Sequence, residues 1–493
     1  MNAPLAVFRC DAGPAHGTGH VRRCLSLASV FRDAGWHTGF ATDEASLDAV
    51  PELLGAGNQL VFVDSAAEPR FQASEVAAAW PRGADLLVTD HYGLDAEFES
   101  ACRGFARRRV ALDDLADRER DTDLLFDSAS QRSADAYQTL LPRGALVLTG
   151  TGYALLGTAF AQKRASSLER RNGQIGSILI SLGGIDPGPV LERLVDGLRL
   201  GGFGGDLTVV LGMEMPVADR LRARAEDPFN LEVVVGVRDM ADRLVTTDLA
   251  IGAGGSSAWE RCALGVPTLL VVTARNQDLI AEGLVRASAV GLLGWHEEVD
   301  ASLVAGLFKD LAADRDQVLA LSRNAAALCD GRGAERTWLA CLDETAPAGQ
   351  IALRLADASD GGTLFNWQSA PQTRRYARDA HMPSRAEHDV WFGARLLDPD
   401  CLLCVITCDG RAAGSLRLDR QETGTDRVVS IYLAPETYGR GVATAALTLA
   451  KRLAPGWRLV AEVLAENEAS HRLFQRAGFR CDGEGTYIWE AAA

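Results

Sequence analysis

Gly17-Thr18-Gly19-His20-Val21-Arg22-Arg23 follows an apolar run, Leu5-Ala6-Val7-Phe8. It opens a segment in which Val21, Cys24, Leu25, Ala28 and Phe31 recur at helical spacing before Gly35. The run reads as a buried strand and the segment as a helix ended by glycine. A glycine-rich turn from strand to helix lets the backbone come close to a ligand. The free N–H groups of a helix start favour anionic or polar oxygen groups. His20 stands at that start, with a side chain suited to proton transfer near neutral pH. Arg9 and Asp11 close the same strand and carry ionisable groups toward the sheet edge where open α/β folds bind ligands.

Outward from this turn the chain keeps alternating. Leu60–Asp64, Asp85–Asp90, Arg109–Asp113 and Ala145–Leu148 read as buried parallel strands, three of them ending in aspartate. The polar, basic stretch 162–176 reads as a linker. Ser177–Ser181, Leu207–Leu211, Leu231–Val235, Leu249–Ile251 and Thr268–Val272 then form a second parallel unit, which implies two lobes with a site in the cleft between them. After an Ala346-Pro347-Ala348-Gly349 spacer the pattern changes. A helical region precedes strands at Leu402–Ile406 and Ala413–Leu418, joined by an Asp409-Gly410 hairpin turn.

Bulk properties agree with this division. The 493 residues suggest about three domains. Lys+Arg 50 against Asp+Glu 66 gives a net charge of −16 with no basic block, which argues against a nucleic-acid partner. No apolar run is long enough to span a bilayer and no signal peptide is read, so a cytoplasmic protein without a membrane partner is expected. The ten cysteines are scattered, and Cys401 and Cys404 sit in a strand-like run. They read as reduced core residues, with no metal site expected.

The second unit repeats the opening motif. Ile251-Gly252-Ala253-Gly254-Gly255-Ser256-Ser257-Ala258-Trp259-Glu260 is again strand, glycine turn and helix. Its hydroxyls and backbone N–H groups suit a phosphate, and Glu260 is placed to accept ribose hydroxyls. Gly183-Gly184 and the Asn276-Gln277 amides add uncharged hydrogen-bonding groups.

As an ordered set these motifs resemble the UDP-sugar hydrolases of pseudaminic acid biosynthesis, over about residues 1–345. The set comprises Arg9 and Asp11, the GTGHVRRC turn, Val88-Thr89-Asp90-His91-Tyr92-Gly93, Leu112-Asp113-Asp114, Tyr153-Ala154-Leu155-Leu156, Leu182-Gly183-Gly184-Ile185-Asp186, the GAGGSSAWERCALGVP segment and Asn276-Gln277. The resemblance implies a GT-B-type pair of Rossmann-like domains, a lobe with the catalytic histidine over 1–165 and a UDP-binding lobe over 175–345. It implies attack of water on the anomeric carbon of a UDP-linked 2,4-diacetamido-2,4,6-trideoxy-altrose, with inversion and without metal. His20 would be the base, with Tyr92 and Asn276 near the sugar. Asp11, Gly19, Gly183, Gly184, Ser256, Ser257, Glu260 and Gln277 would line the substrate and UDP. His16 stands where the family more often has an apolar residue, and Gly157 where it has an arginine.

Residues 350–493 resemble the GNAT N-acetyltransferases, which completes the α/β fold class as two Rossmann-like domains followed by a GNAT domain. The resemblance rests on Val429-Ser430-Ile431-Tyr432-Leu433, on Tyr438-Gly439-Arg440-Gly441-Val442-Ala443-Thr444 and on Glu466-Asn467-Glu468-Ala469-Ser470 with the helix after it. It implies acetyl-CoA as co-substrate, held by Leu433, Gly439, Arg440, Gly441, Val442, Ala443, Thr444 and Asn467. Tyr438 replaces the usual glutamine or arginine, and Phe474 replaces a tyrosine acid. Phe365-Asn366-Trp367, Arg374-Arg375-Tyr376 and Glu387-His388-Asp389-Val390-Trp391-Phe392 resemble the acetyltransferase that modifies the 4-amine of the same UDP-sugar. His388, Glu387 and Glu462 are base candidates. The residues leave open a glycosyltransferase, a hydrolase of legionaminic-type sugars that also epimerises carbon 2, and a GNAT domain that only senses CoA.

Overall fold

The computed structural model describes residues 3–13, 17–55, 57–129, 131–183, 189–224, 228–377, 381–421 and 424–491. The first sheet is wholly parallel. Its strands are β1 (Leu5–Cys10), β2 (His37–Thr42), β3 (Asn58–Phe62), β4 (Ala84–Asp90), β5 (Ala106–Leu112), β6 (Leu124–Asp127) and β7 (Leu146–Thr149), in spatial order 3-2-1-4-5-6-7. Helices α1 (Gly19–Asp33), α2 (Glu44–Ala49), α3 (Pro69–Ala79) and α4 (Ala96–Ala101) connect its first half. Strand order reverses between β1 and β4, so their carboxyl ends open a crevice. β3 was expected to be buried, but it is the edge strand with Phe62 exposed. β2 and β6 are further strands that the sequence reading did not pick out. β2 is too rich in small and hydroxyl residues, and β6 too short, to give a clear apolar run.

The stretch 162–176 is not simply a linker. Its first half lies in α5 (Thr158–Glu169), which packs on the second lobe. Phe160 is buried there, and Arg164 donates to the carbonyls of Cys329 at 3.0 Å and Ala326 at 2.7 Å. The basic side chains that suggested a linker are the ones that pin this helix. The second sheet, also parallel, holds β8 (Ser177–Ser181), β9 (Asp206–Leu211), β10 (Asn230–Val235), β11 (Leu249–Ala253), β12 (Thr268–Val272) and β13 (Gly291–Trp295), in order 10-9-8-11-12-13. Around it lie α6 (Val190–Leu200), α7 (Pro216–Arg222), α8 (Met240–Thr246), α9 (Ser257–Ala263), α10 (Asp278–Arg286), α11 (Ala301–Ala313) and α12 (Arg315–Leu328). α13 (Gly333–Ala340) returns to the first lobe and packs on α1.

The expected spacer at Ala346–Gly349 is the turn of a hairpin. It joins β14 (Glu344–Ala346) to β15 (Gly349–Leu355), and Gly349 has φ 137. The third sheet continues through β16 (Cys401–Cys408), β17 (Arg411–Arg420), β18 (Asp426–Leu433), β19 (Arg458–Glu462), β20 (Arg480–Cys481) and β21 (Thr486–Trp489). α14 (Gly361–Gln368), α15 (Pro371–Arg374) and α16 (Arg385–Leu397) sit between β15 and β16, α17 (Val442–Leu453) follows β18, and α18 (Glu468–Arg476) follows β19. The Asp409-Gly410 turn has φ of 47 and 76, both positive as a type I′ hairpin requires. All ten cysteines are free thiols, and Cys401 and Cys404 both lie buried on β16. No helix among the described residues is long and apolar enough to cross a membrane.

Candidate active sites

His20 is the second residue of α1 and lies at the carboxyl edge of the first sheet, beside the end of β4. Thr18 occupies the N-cap without a side-chain cap bond, so the first N–H groups of α1 stay open. The His20 ring is 6% exposed. Its Nδ1 lies 2.6 Å from Asp90 Oδ1, and its Nε2 makes no hydrogen bond among the described residues. Arg23, one turn on, grips the same carboxylate with two donors, each at 2.5 Å. A third Arg23 nitrogen reaches Asp114 at 3.1 Å, and the Tyr92 hydroxyl donates to Asp114 at 3.2 Å. Tyr92 meets His20 edge to face, with centroids 4.4 Å apart.

Burial alone would push the Asp90 carboxyl up. The charges of Arg23 and His20 and their hydrogen bonds outweigh it and hold the group well below the usual carboxylate range. Tyr92 is pushed up to about 12, by burial first and by the charge of Asp114, while a hydrogen bond with Asn276 opposes the shift. Tyr92 belongs to the first lobe and Asn276 to the second, so this contact crosses the cleft. On the same cleft wall, a Cβ placed on Gly19 would lie 3.9 Å from Ser256 Oγ at the start of α9.

Asp11 was expected to face the substrate, and the structure gives it another task. It is 1% exposed and accepts from Arg9, Thr42, Ser65, His91 and the backbone N–H of Asp43. His91 Nδ1 accepts from Gly93 N–H, so its Nε2 carries the proton given to Asp11 at 3.0 Å. This buried knot shapes the loop that holds Tyr92. Gln277 is also spent on the protein. Its Oε1 accepts from the N–H groups of Gly254 and Thr273, at 3.2 and 3.0 Å, which braces the glycine turn.

Ser256 is exposed and Ser257 half-buried, at the open first turn of α9. Glu260 lines a crevice with Leu179, Ser181, Met240, Leu244, Ile251, Ser257 and Arg261. Burial raises its carboxyl, opposed by the charges of Arg261 and Arg22. No hydrogen bond to the Glu260 carboxylate is made by the described residues, so its oxygens are free to accept. Gly183 has φ 96 and is exposed at the end of β8. Gly184 and His16 lie outside the described residues. Asn276 is exposed at the cleft.

In the third unit β18 pairs with β19 in parallel over Asp426–Val428 and Arg458–Val460 only. Beyond that the two strands part, and the Val429–Leu433 edge stays open toward β19. The wedge leads to Gly439 and Gly441, with φ 72 and 82, and Gly441 is the uncapped N-cap of α17. Val442 is fully buried, while Ala443 and Thr444 are half-buried in the first turn. Arg440 is exposed and forms no ion pair among the described residues. Asn467 caps α18 through its side-chain oxygen, at 3.1 Å from Ser470 N, which leaves its amide N–H groups for other partners.

The base candidates differ in setting. Glu387 is committed to a capping box with Ser384. Glu462 is exposed at the end of β19, next to the wedge. His388 is 2% exposed, and neither ring nitrogen has a hydrogen-bond partner among the described residues. Phe392 stacks on its ring at 5.7 Å, while Phe365 and Trp391 approach it at 5.3 and 5.6 Å. Burial lowers its pKa, partly opposed by Asp389. Phe474 packs between Phe479 and Tyr487.

Asp90, Arg23 and Asp114 were not singled out from the sequence as site residues. A signal existed: Arg23 lies three residues after His20, on the same helix face, and β4 is an apolar run ending in Thr89-Asp90. No group of three or more His, Cys, Asp and Glu side chains among the described residues is placed to hold a metal ion.

Comparison with known proteins agrees with this fold. Residues 350–480 match the acetyltransferase (GNAT) domain family. Over 328 residues the chain is 26% identical to the spore coat polysaccharide biosynthesis protein SpsG of Bacillus subtilis, covering 66% of this chain and 93% of that protein. It is 23% identical over 183 residues to the UDP-2,4-diacetamido-2,4,6-trideoxy-beta-L-altropyranose hydrolase of Campylobacter jejuni, 36% of this chain and 60% of the relative, less than two thirds of its length. Among solved structures, MurG of Acinetobacter baumannii superposes with a TM-score of 0.52 at 16% identity, over 68% of this chain and 98% of its own; this is a likeness of fold. The chain is thus a fusion, in which a two-lobed GT-B-like part homologous to that hydrolase precedes a C-terminal GNAT acetyltransferase domain.

Proposed function

We propose that the chain is a bifunctional nucleotide-sugar enzyme of the pseudaminic acid type, working in the cytoplasm. Its GNAT domain acetylates the 4-amine of a UDP-4-amino-4,6-dideoxy-N-acetyl-altrosamine. Its two lobes then hydrolyse the UDP-2,4-diacetamido-2,4,6-trideoxy-altrose formed. The observation that carries the hydrolytic half is the His20 ring, anchored through Nδ1 and with no partner on Nε2 among the described residues, next to Gly19 where the first lobe faces Ser256 of the second.

Water attacks the anomeric carbon, and its proton passes to His20 Nε2. The bond from that carbon to the β-phosphate oxygen breaks, and UDP leaves with the electron pair. The open N–H groups of the Gly255–Ser257 turn and of Gly19 stabilise the charge gathering on the diphosphate, and Glu260 accepts from the ribose. Tyr92 and Asn276, which meet across the cleft, lie near the sugar and bind it from one side. In the GNAT domain acetyl-CoA supplies the acyl group. The αL glycines Gly439 and Gly441, the N–H groups of Val442, Ala443 and Thr444, the Arg440 charge, the open Leu433 edge and the Asn467 amide suit its pyrophosphate and pantetheine arm. His388 and Glu462 are the groups to receive the amine proton. His388 reaches it only after a side-chain shift opens the aromatic box.

His20→Ala is expected to abolish UDP release while CoA release continues at the wild-type rate, measured in parallel on the amino sugar with acetyl-CoA. UDP release near the wild-type rate would refute the assignment. NMR of the sugar product then reads acyl transfer, anomeric cleavage and ring stereochemistry together, and separates this reading from a hydrolase that also epimerises carbon 2.

A further inference from the structure

The imidazole of His20 has two neutral forms, and only one leaves a lone pair on Nε2. Around Nδ1 stand two groups with opposite demands. Asp90 Oδ1, at 2.6 Å, belongs to an ionised carboxylate and only accepts. An Arg23 guanidinium nitrogen, at 3.2 Å, only donates. The shorter contact decides. A lone pair on Nδ1 would face the carboxylate oxygen at 2.6 Å and be repelled, whereas a proton there makes a charge-assisted bond. Arg23 has its own use, since its Nε and one terminal nitrogen each bind Asp90 at 2.5 Å.

We infer that Asp90, held in place by Arg23, is a positioning residue that fixes His20 as the Nδ1–H tautomer and so aims the Nε2 lone pair into the cleft. The other groups facing the ring do not compete. Cys24 donates its thiol to Asp90 at 3.6 Å, Tyr92 presents its ring and gives its hydroxyl to Asp114, and Asp114 lies behind Arg23. The Arg23 clamp has a second effect. It neutralises Asp90 locally, so the carboxylate orients the imidazole without demanding that it be charged. Arg23 lies one helical turn beyond His20, so α1 carries the base and the clamp together, and the end of β4 supplies the carboxylate.

This rests on His20 being the base, but its first test does not. Protein labelled with 15N in the histidine rings is observed by long-range 1H–15N correlation at about pH 8.5, where an ordinary imidazole is neutral. The His20 signals are identified by their loss in His20→Gln. Nδ1 protonated and Nε2 bare is expected; Nε2 protonated in the wild type overturns the inference, whatever His20→Ala does to UDP release. The second test uses Asp90→Asn. Its His20 pattern is expected to become mixed or reversed, and kcat for UDP release to fall about 10²–10⁴-fold with KM within about twofold. CoA release and the melting temperature serve as controls, because a folding defect lowers both. An unchanged tautomer with unchanged kcat in Asp90→Asn also overturns the inference. Arg23→Lys keeps the charge but not the fork, and is expected to lose an intermediate factor in kcat.

Discussion

The first lobe makes two large contacts, and they are built differently. Toward the GNAT domain it shares a single apolar core. Phe31, Trp36, Trp338, Leu339, Leu353, Leu449 and Leu453 belong to one buried cluster drawn from both parts. The indole N–H groups of Trp36 and Trp338 both donate to Leu453 O, at 2.8 and 3.3 Å, and that of Trp457 donates to Asp33 O at 2.8 Å. Gly456 N–H reaches Ala34 O at 2.9 Å, with the backbones of Gly35 and Gly456 in direct contact. Toward the second lobe, α5 and the segment before it aside, the contacts found among the described residues are mainly polar. Arg238 approaches Glu52 at 3.9 Å, Tyr92 meets Asn276, and the Thr151 hydroxyl donates to the carbonyl of Leu328. One boundary is a shared apolar core and the other is a mainly polar contact. The GNAT domain is thus packed onto the first lobe through a shared core.

The helices place the two sites accordingly. α1 carries His20 at its start and meets the GNAT domain at its end, while α17 carries the Gly441 turn at its start and docks at its end. Each site lies a helix length from the seam, about 22 Å along α1 and about 18 Å along α17 at 1.5 Å per residue. The seam thus joins the two parts on faces away from both candidate sites.

The largest effect is expected at the seam. Trp338→Ala removes a side chain that is 2% exposed and is expected to cost about 3–5 kcal/mol. Gly456→Val adds a Cβ only 2.7 Å from Gly35 Cα and is expected to cost at least 1–3 kcal/mol as an overpacked contact. In both variants calorimetry should show the two parts losing stability together, with both activities falling. A GNAT transition that moves while the lobes melt as before would break the comparison and make the seam a docking contact.

A smaller effect is expected where the chain crosses between the lobes. Asp330 is bound by Arg336 through two nitrogens, and Arg336 also donates to Gly152 O at 3.2 Å. Burial would raise the Asp330 carboxyl, but the Arg336 hydrogen bonds and charge win and bring it to about 2. A folded-state value below the unfolded one, about 3.9, means stability that is full above that pH and is lost as pH falls through about 2. Asp330→Asn should therefore be less stable at neutral pH and lose less between about pH 4 and 2. Denaturant unfolding across that range measures it, and an unchanged slope would remove the pair from the account.

The seam was hidden from the sequence, and the reason is physical. Periodicity reports which face of an element is buried, not what buries it. Nothing in the pattern around Trp36, Trp338 and Trp457 tells what covers them, and Ala346–Gly349 looked like a spacer because a proline and a glycine mark both hairpins and linkers. Strands and glycine turns were legible, since β1, β4, β8 and β11 are continuous apolar runs closed by polar or small residues. His20 was legible because a turn, a helix start and an ionisable side chain coincide there. Asp90 was half legible, as one of three aspartates closing strands. Choosing it over Asp64 and Asp113 needs the helix axis that brings His20 and Arg23 onto it. Asp11 and Gln277 had the right chemistry for ligands, but in the fold they bond neighbours near and far in sequence, among them Arg9 and His91 for Asp11 and Thr273 and Gly254 for Gln277.

The smallest effect is expected at the cleft. Glu52→Gln removes the acidic partner of Arg22 and Arg238, whose side chains are 54% and 76% exposed. Exposed pairs at such distances contribute less than about 1 kcal/mol, and added salt screens them further. The melting temperature should move by no more than a degree or two, and both activities should survive. A loss as large as that of Trp338→Ala would mean that the lobes are locked as firmly as the seam. A change in KM for the UDP-sugar with an unchanged melting temperature would sharpen the contrast instead. It would show that the few charges at the mouth adjust the opening of a cleft whose walls are held elsewhere, by α5 on one side and by the shared core on the other.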